Sequence, residues 1–256
     1  KKFKRRSPKK FTAIYLRLAA FYKKQGNWRR YAKMMKEFDT KRLGPYPMRL
    51  HARMEYALMR RKMGARREAE RIFQRIPGAY DTLPKEKKIK YPQAGYAAAH
   101  VRFMDAEKLF REYLKIRLDR RMGKKAMFKR LQAKKKVLLK VYHSYEKVVK
   151  YRQGEWSVAA LYRAGDLFLN YSKFLLSAPP PDRREVRKEV VLVLRNVLSR
   201  RKVPRRLHMR ILRRPNFQQI IERQVQTAID NYKMKLQELA QPEEDRAVHF
   251  YQRCLR

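Results

Sequence analysis

Acidic residues are scarce in this sequence. Its 256 residues hold 23 Asp and Glu against 68 Lys and Arg, a formal net charge of +45. A compact fold with that excess repels itself, so an anionic partner is expected. Cysteine is nearly missing. Cys254 alone permits no internal disulfide and no cysteine zinc site, which fits a reducing compartment. Glycine is rare at 8 and never doubled, which argues against hairpin-rich β folds. No purely apolar run exceeds five residues, as in Val190 to Leu194, so no membrane-spanning helix is expected. No apolar signal-peptide region stands at the start, and a first residue of Lys1 reads as a processed or trimmed end. What is present is a core: 44% hydrophobic and 12% aromatic residues are too apolar for a disordered basic tail. The length suits one large domain or two small ones.

The apolar spacing is helical nearly throughout. Ile14, Leu18, Phe21 and Tyr22 recur at threes and fours, and Gly26-Asn27 breaks the pattern. Trp28, Tyr31, Ala32, Met35 and Phe38 mark a second helix, closed by Gly44-Pro45-Tyr46-Pro47. Met54, Ala57 and Leu58 carry a third to Gly64; Ala69, Ile72, Phe73 and Ile76 carry a fourth to Pro77-Gly78. Residues 84–92 read as a loop. Residues 96–118 read as one long helix, with Phe103, Ala106, Phe110 and Leu114 on its apolar side. Leu131, Leu138, Val141, Tyr145 and Val148 mark another, bent back on the previous one at Gly123. Residues 156–176 form the next, stopped by Ala178-Pro179-Pro180-Pro181. Asp182 and Glu185 have capping-box spacing and open a helix over 186–198. Pro204 and Pro215 punctuate a short basic segment. Two last helices, 217–239 and 243–255, are expected to split at Pro242, a residue suited to a first helical turn. The total is ten or eleven helices. Val190–Leu194 is the one β-like run, and its flanks read as helix.

Helix pairs at roughly 35-residue intervals call for a repeat comparison. Gly64 to Phe73, with Ala69 and Phe73 four apart and Ala57 on the preceding helix, resembles part of a tetratricopeptide repeat. Ala19, Tyr22 and Gly26 fit an earlier unit, whose second helix departs by carrying Tyr31 where alanine belongs. Leu161, Ala164, Gly165 and Phe168 fit a first helix again. Ala247, Tyr251 and Cys254 fit a second helix, as do Ala106 and Phe110 without a preceding turn. Residues 51–76 also look like the half-a-tetratricopeptide variant found in RNA-processing factors. The resemblance covers about half the chain in degenerate form. It implies stacked helical hairpins and is weak on function.

The charge falls in three clusters. The first 36 residues hold fourteen Lys and Arg and no acid. Within them residues 1–10 lack an apolar period and read as an extended basic arm, with Lys4, Arg5, Arg6, Lys9 and Lys10 set to neutralise phosphates. The plain alternative is a tail without a partner. The second cluster, 117–140, holds eleven Lys and Arg against Asp119. Lys134, Lys135 and Lys136 lie beside the Leu131/Leu138 stripe and are expected on a solvated or bound face, since i,i+4 acids are missing. The third, 190–221, has nine Lys and Arg and no acid. Arg200, Arg201, Lys202, Arg205, Arg206, Arg213 and Arg214 fall at helix ends and turns. There they can converge on a folded RNA backbone through bidentate phosphate contacts. Protein, lipid and plain solvation are the alternatives. The 16 Tyr and 12 Phe lie mostly on helical stripes and read first as core; base stacking is the lesser reading. Trp28 and Trp156 read as hairpin packing residues.

Catalytic signatures are missing. His51, His100, His143, His208 and His249 are scattered, with no metal-ligand spacing, no P-loop and no dinucleotide fingerprint. Cys254 reads as a packing residue, and the acids read mostly as surface partners of the basic helices. The expected fold is all-α: a basic arm (1–10), tetratricopeptide-like hairpins (11–91), a long hairpin and following helix (92–181), and a basic helical segment with C-terminal repeat-like helices (182–256). The expected function is non-catalytic RNA binding within a large ribonucleoprotein. A ribosome-associated or organellar ribosomal protein, in the mitochondrion or another ribosome-containing compartment, is its concrete form. Ribosomal RNA and neighbouring proteins of the assembly are the expected partners, with no cofactor and no metal. A tetratricopeptide-like adaptor for acidic proteins and an electrostatic membrane-surface binder are the alternatives.

Overall fold

The computed structural model describes residues 8–118 and 123–255. Among them run eleven α-helices and no strand. They are α1 (Pro8–Lys24), α2 (Trp28–Thr40), α3 (Tyr46–Lys62), α4 (Arg66–Asp81), α5 (Lys85–Lys90), α6 (Pro92–Leu114), α7 (Lys124–Val149), α8 (Gly154–Leu176), α9 (Arg183–Arg200), α10 (Arg205–Leu212) and α11 (Pro215–Cys254). None is long and apolar enough to cross a membrane.

The α1–α2 and α3–α4 turns use the same hydrogen bonds 38 residues apart. Gly26 N–H donates to Lys23 O and Asn27 N–H to Tyr22 O; Gly64 N–H donates to Arg61 O and Ala65 N–H to Arg60 O. Gly26 and Gly64 have φ of +71° and +88°, a left-handed geometry that closes a helix C-terminus and favours residues without Cβ. Each turn brings two apolar faces together. Ala19, Tyr31, Ala32, Met35 and Phe38 form one core, and Met54, Ala57, Ala69, Phe73 and Ile76 form the next with Ala97 and Val101 of α6.

Four boundaries differ from the sequence reading, and burial explains three. Helix α4 continues through Pro77 to Asp81. A proline forfeits one backbone bond, but Ile76 and Pro77 are buried here. Ala79 and Tyr80 add a turn that packs against Leu50, Leu83 and Ala94. The expected loop at 84–92 contains α5, begun after Pro84. The segment between Pro204 and Pro215 contains α10, held by buried His208 and Leu212. The two last helices are one, α11, with Pro242 inside it. Its buried residues Leu236, Ala240, Glu243, Ala247 and Phe250 keep a four-three-four-three spacing across the proline, so one face stays in register. At α9, Asp182 caps the N-terminus as expected, its carboxylate accepting from Arg184 N–H at 2.8 Å.

The chain divides into two compact units. The first comprises Lys1–Glu112, Lys140–Ala164 and Arg253–Arg256; the second comprises Tyr113–Leu139 and Gly165–Gln252. In the first, α6 and the C-terminal part of α7 pack through Phe103, Phe110 and Tyr145. In the second, α8 runs against the C-terminal half of α11. Phe168 stacks on Phe250 at 5.6 Å, and Gly165 faces the Tyr251 ring so closely that a Cβ would lie 2.5 Å from it. Helices α9, α10 and the N-terminal part of α11 surround a separate core of Val186, Leu212, Ile221 and Val225.

Candidate nucleic-acid interface

The scarce acids explain which cations are left exposed. Glu55 on α3 is buried and accepts from Lys23 on α1 at 3.1 Å and from the Tyr31 hydroxyl on α2 at 2.9 Å, joining three helices. Glu107 on α6 does the same for α7 and α8. Tyr145 donates to it at 2.6 Å, and Arg163 grips both its oxygens at 2.8 and 2.7 Å. Glu68 accepts from Tyr56 at 2.8 Å and from Arg60 at 2.6 Å. Asp39 accepts from Arg53 at 2.5 Å. Burial pushes the Tyr31 hydroxyl well above its ordinary pKa, with the Glu55 charge adding to the shift. Burial opposes ionisation of Glu107, yet the Arg163 and Tyr145 bonds outweigh it and hold its pKa below the usual carboxylate value. Most described acids lie at or near the surface, as expected, but this set does more: it clamps helices together, each beside a tyrosine or arginine on another helix.

The third basic cluster is the counterpart. Arg183 and Arg187 near the start of α9 both pair with Glu222 on α11, Arg183 at 2.9 Å. Further along the same helix the acids run out. Arg200 and Arg201 end α9, Lys202 turns the chain, Arg205 and Arg206 open α10, and Arg213 and Arg214 lie between α10 and α11. All seven are exposed, and among the described residues none forms an ion pair. The scaffold under them is fixed. The buried His208 ring bonds to the Val203 carbonyl at 2.8 Å, and Gln218 donates to the Leu212 carbonyl. Basic side chains are thus carried on short rigid turns, which lowers the ordering cost of gripping a phosphate.

The other predicted residues divide. Lys4, Arg5 and Arg6 lie outside the described residues. Lys9 and Lys10 belong to α1, which starts at Pro8, rather than to an extended segment; Lys10 is exposed. Lys135 and Lys136 are exposed on α7. Lys134 is not accessible to phosphate. It is 3% exposed, lies 4.5 Å over the Tyr113 ring and 4.0 Å over the Phe174 ring, and donates to the Ile116 carbonyl at 2.9 Å. Burial, with Arg117 nearby, lowers its pKa to about 8. The expected surface contact is a buried cation that closes the chain after α6.

Two residues, Arg42 and Arg152, escape the sequence reading, and so does the backbone geometry of a third, Lys202. Arg42, Arg152 and Lys202 have positive φ of 51°, 53° and 57° at helix C-termini, the geometry that Gly26 and Gly64 take elsewhere. All three side chains are exposed. The signal that could have found them is a basic residue standing where a helix end calls for glycine.

No group of three or more His, Cys, Asp or Glu could hold a metal ion among the described residues. His51 and His100 are less scattered than their numbers suggest, since both rings lie against Tyr96, and His100 stacks on Trp156 at 4.3 Å. Burial, then the Arg61 charge, lowers the His100 pKa to about 4. Trp156 is thus a packing residue as expected, whereas Trp28 is 38% exposed under the Lys62 ammonium. Cys254 is half-buried, its thiol 3.7 Å from the Val158 carbonyl, and burial raises its pKa. In comparisons with known proteins, no family model, no curated protein and no solved structure matches this chain.

Proposed function

We propose that this chain is a non-catalytic RNA-binding component of a large ribonucleoprotein, ribosome-associated or an organellar ribosomal protein. The observation that carries the reading is the exposed set of basic residues between Arg200 and Arg214 on fixed turns, none of them ion-paired among the described residues, whereas Arg183 and Arg187 of α9 share Glu222. A folded RNA backbone supplies the missing counter-charge, through phosphate neutralisation and shape fit. The compartment proposed is one that holds ribosomes, the mitochondrion first. The proposed architecture is a tetratricopeptide-like hairpin array with its grooves toward neighbouring proteins. It draws support from the matching α1–α2 and α3–α4 turns and from the close approach of α8 to the C-terminal half of α11. In that reading α9, α10 and the start of α11 are a basic excursion inserted within the last hairpin.

A salt series tests this. Affinity for a structured RNA, a duplex DNA and poly-glutamate is measured across 50–300 mM salt, a range of about one Debye-length halving. The reading predicts tightest binding and the steepest slope for RNA. Weak, equal binding to all three polyanions sinks it. A second reading, an adaptor for an acidic protein, is favoured by one observation: Leu192 and Val193 on α9 are 57% and 59% exposed, and phosphates have no use for them.

A further inference from the structure

A basic pocket lies away from the three sequence clusters. Helices α2, α3 and α4 line it with Lys36, Asp39, Arg53, Tyr56 and Arg75, over a floor of Met35 and Ile72. Asp39 is its one acid. Its Oδ2 accepts from Arg53 Nε at 2.5 Å, while its Oδ1 is buried without a hydrogen-bond partner. That bond, and the Tyr46 ring 5.5 Å away, fix the Arg53 guanidinium in place. Lys36 and Arg75 are exposed and form no ion pair among the described residues. Glu68 is the carboxylate whose charge acts with that of Lys36, but Tyr56 and Arg60 already occupy it.

We propose that this pocket binds a phosphate monoester or free phosphate, with Lys36 and Arg75 as its free cations and Arg53 as the fixed third. The charge sum selects that class. Three cations less one carboxylate leave two positive charges, which match a phosphate near −2 better than a backbone diester at −1. Cations from three packed helices also set a rigid geometry, unlike lysines scattered on one helix face. The source is either a 5′-phosphorylated RNA end or free phosphate. The site extends the RNA reading and also stands without it.

The experiment compares native protein with Lys36→Gln/Arg75→Gln and with Lys24→Gln/Lys87→Gln, which removes equal charge outside the pocket. Each is melted in sodium phosphate and in chloride of matched ionic strength. The quantity read is the difference between the two salts within one protein, so a lower baseline does not disturb it. Phosphate is expected to raise the Tm of the native and control proteins by about 3 °C, a rise that Lys36→Gln/Arg75→Gln loses. No rise in the native protein overturns the site. So does a rise that survives in Lys36→Gln/Arg75→Gln, or one lost equally in the control. A second arm compares an RNA oligonucleotide with and without its 5′-phosphate. A preference for the phosphorylated end that only Lys36→Gln/Arg75→Gln loses makes RNA the source. With the phosphate rise intact and no such preference, free phosphate is the occupant and the site still holds. If RNA fails to bind at all, the functional reading above fails while the melting result decides the pocket.

Discussion

Lys134 and Lys135 are neighbours in one basic run, yet one is buried over two rings and the other faces water. The difference is legible in the sequence. Leu131, Leu138 and Val141 leave position 134 on the apolar stripe, three residues after the first and four before the second. The charge run points to the surface and the register points to the core; register decides. The folded pKa of about 8 lies below the ordinary 10.5 for lysine. Between those values the unfolded chain holds more protons, so the contribution of Lys134 to stability rises with pH through that window. Native stability minus that of Lys134→Met should therefore grow by about 2 kcal/mol from pH 7.5 to 10 in urea melts. A flat difference contradicts the buried-cation account. The three basic residues at positive φ make a second case. Left-handed geometry costs a residue with Cβ about 1 kcal/mol relative to glycine. Lys202→Gly and Arg42→Gly should each raise stability by about 0.5–1 kcal/mol. Lys202→Gly should also weaken RNA binding. Opposite signs for the two readouts identify a residue kept for binding; a fall in both makes it structural.

Proline alone does not set a boundary where a buried face continues past it, as at Pro77 and Pro242. That is why α2, α3 and the start of α4 can be read from spacing, while Pro77 and Pro242 mislead; in α1 the spacing picks Ile14, Leu18 and Phe21, which are 55%, 45% and 52% exposed, and the buried residue is Ala19. Helix-breaking is a local cost, and the competing gain is a continued apolar face that becomes visible only when the partner helix is known. At Pro242 the stripe from Leu236 to Phe250 does continue in the sequence, at fours and threes, but with Glu243 as one of its members it reads as broken. Pro242 itself is exposed. Pro242→Ala should restore the backbone bond to Glu238 and raise stability by about 1–3 kcal/mol in thermal melts, with RNA affinity unchanged. A loss of stability would mean that the packing against α8 depends on the proline. The Gly165–Tyr251 approach is partly legible as well. The small residue and the aromatic both fall at repeat positions, but nothing in the spacing joins them across an intervening α9 and α10.

For the molecule as a whole, the excess of +45 is plain from composition, and its meaning depends on where the 23 acids go. Interhelical clamps take up Glu55, Glu68, Glu107 and Asp39, and Glu222 serves two arginines at once. Those bonds cannot be inferred from the sequence, because each links residues on different helices whose pairing the spacing does not specify. They leave the α9–α10–α11 turns without counter-charge, and the central claim is that RNA phosphates supply it. The most direct measurement is the salt slope of binding to a structured RNA, compared between the native protein and Arg200→Gln/Arg201→Gln/Arg205→Gln/Arg206→Gln. Every phosphate that is no longer neutralised lowers the slope by about 0.7–0.9. The account predicts a slope smaller by about 3, a fall in affinity, and a Tm within about 2 °C of native. An unchanged slope, or a variant that loses its helical fold, contradicts it.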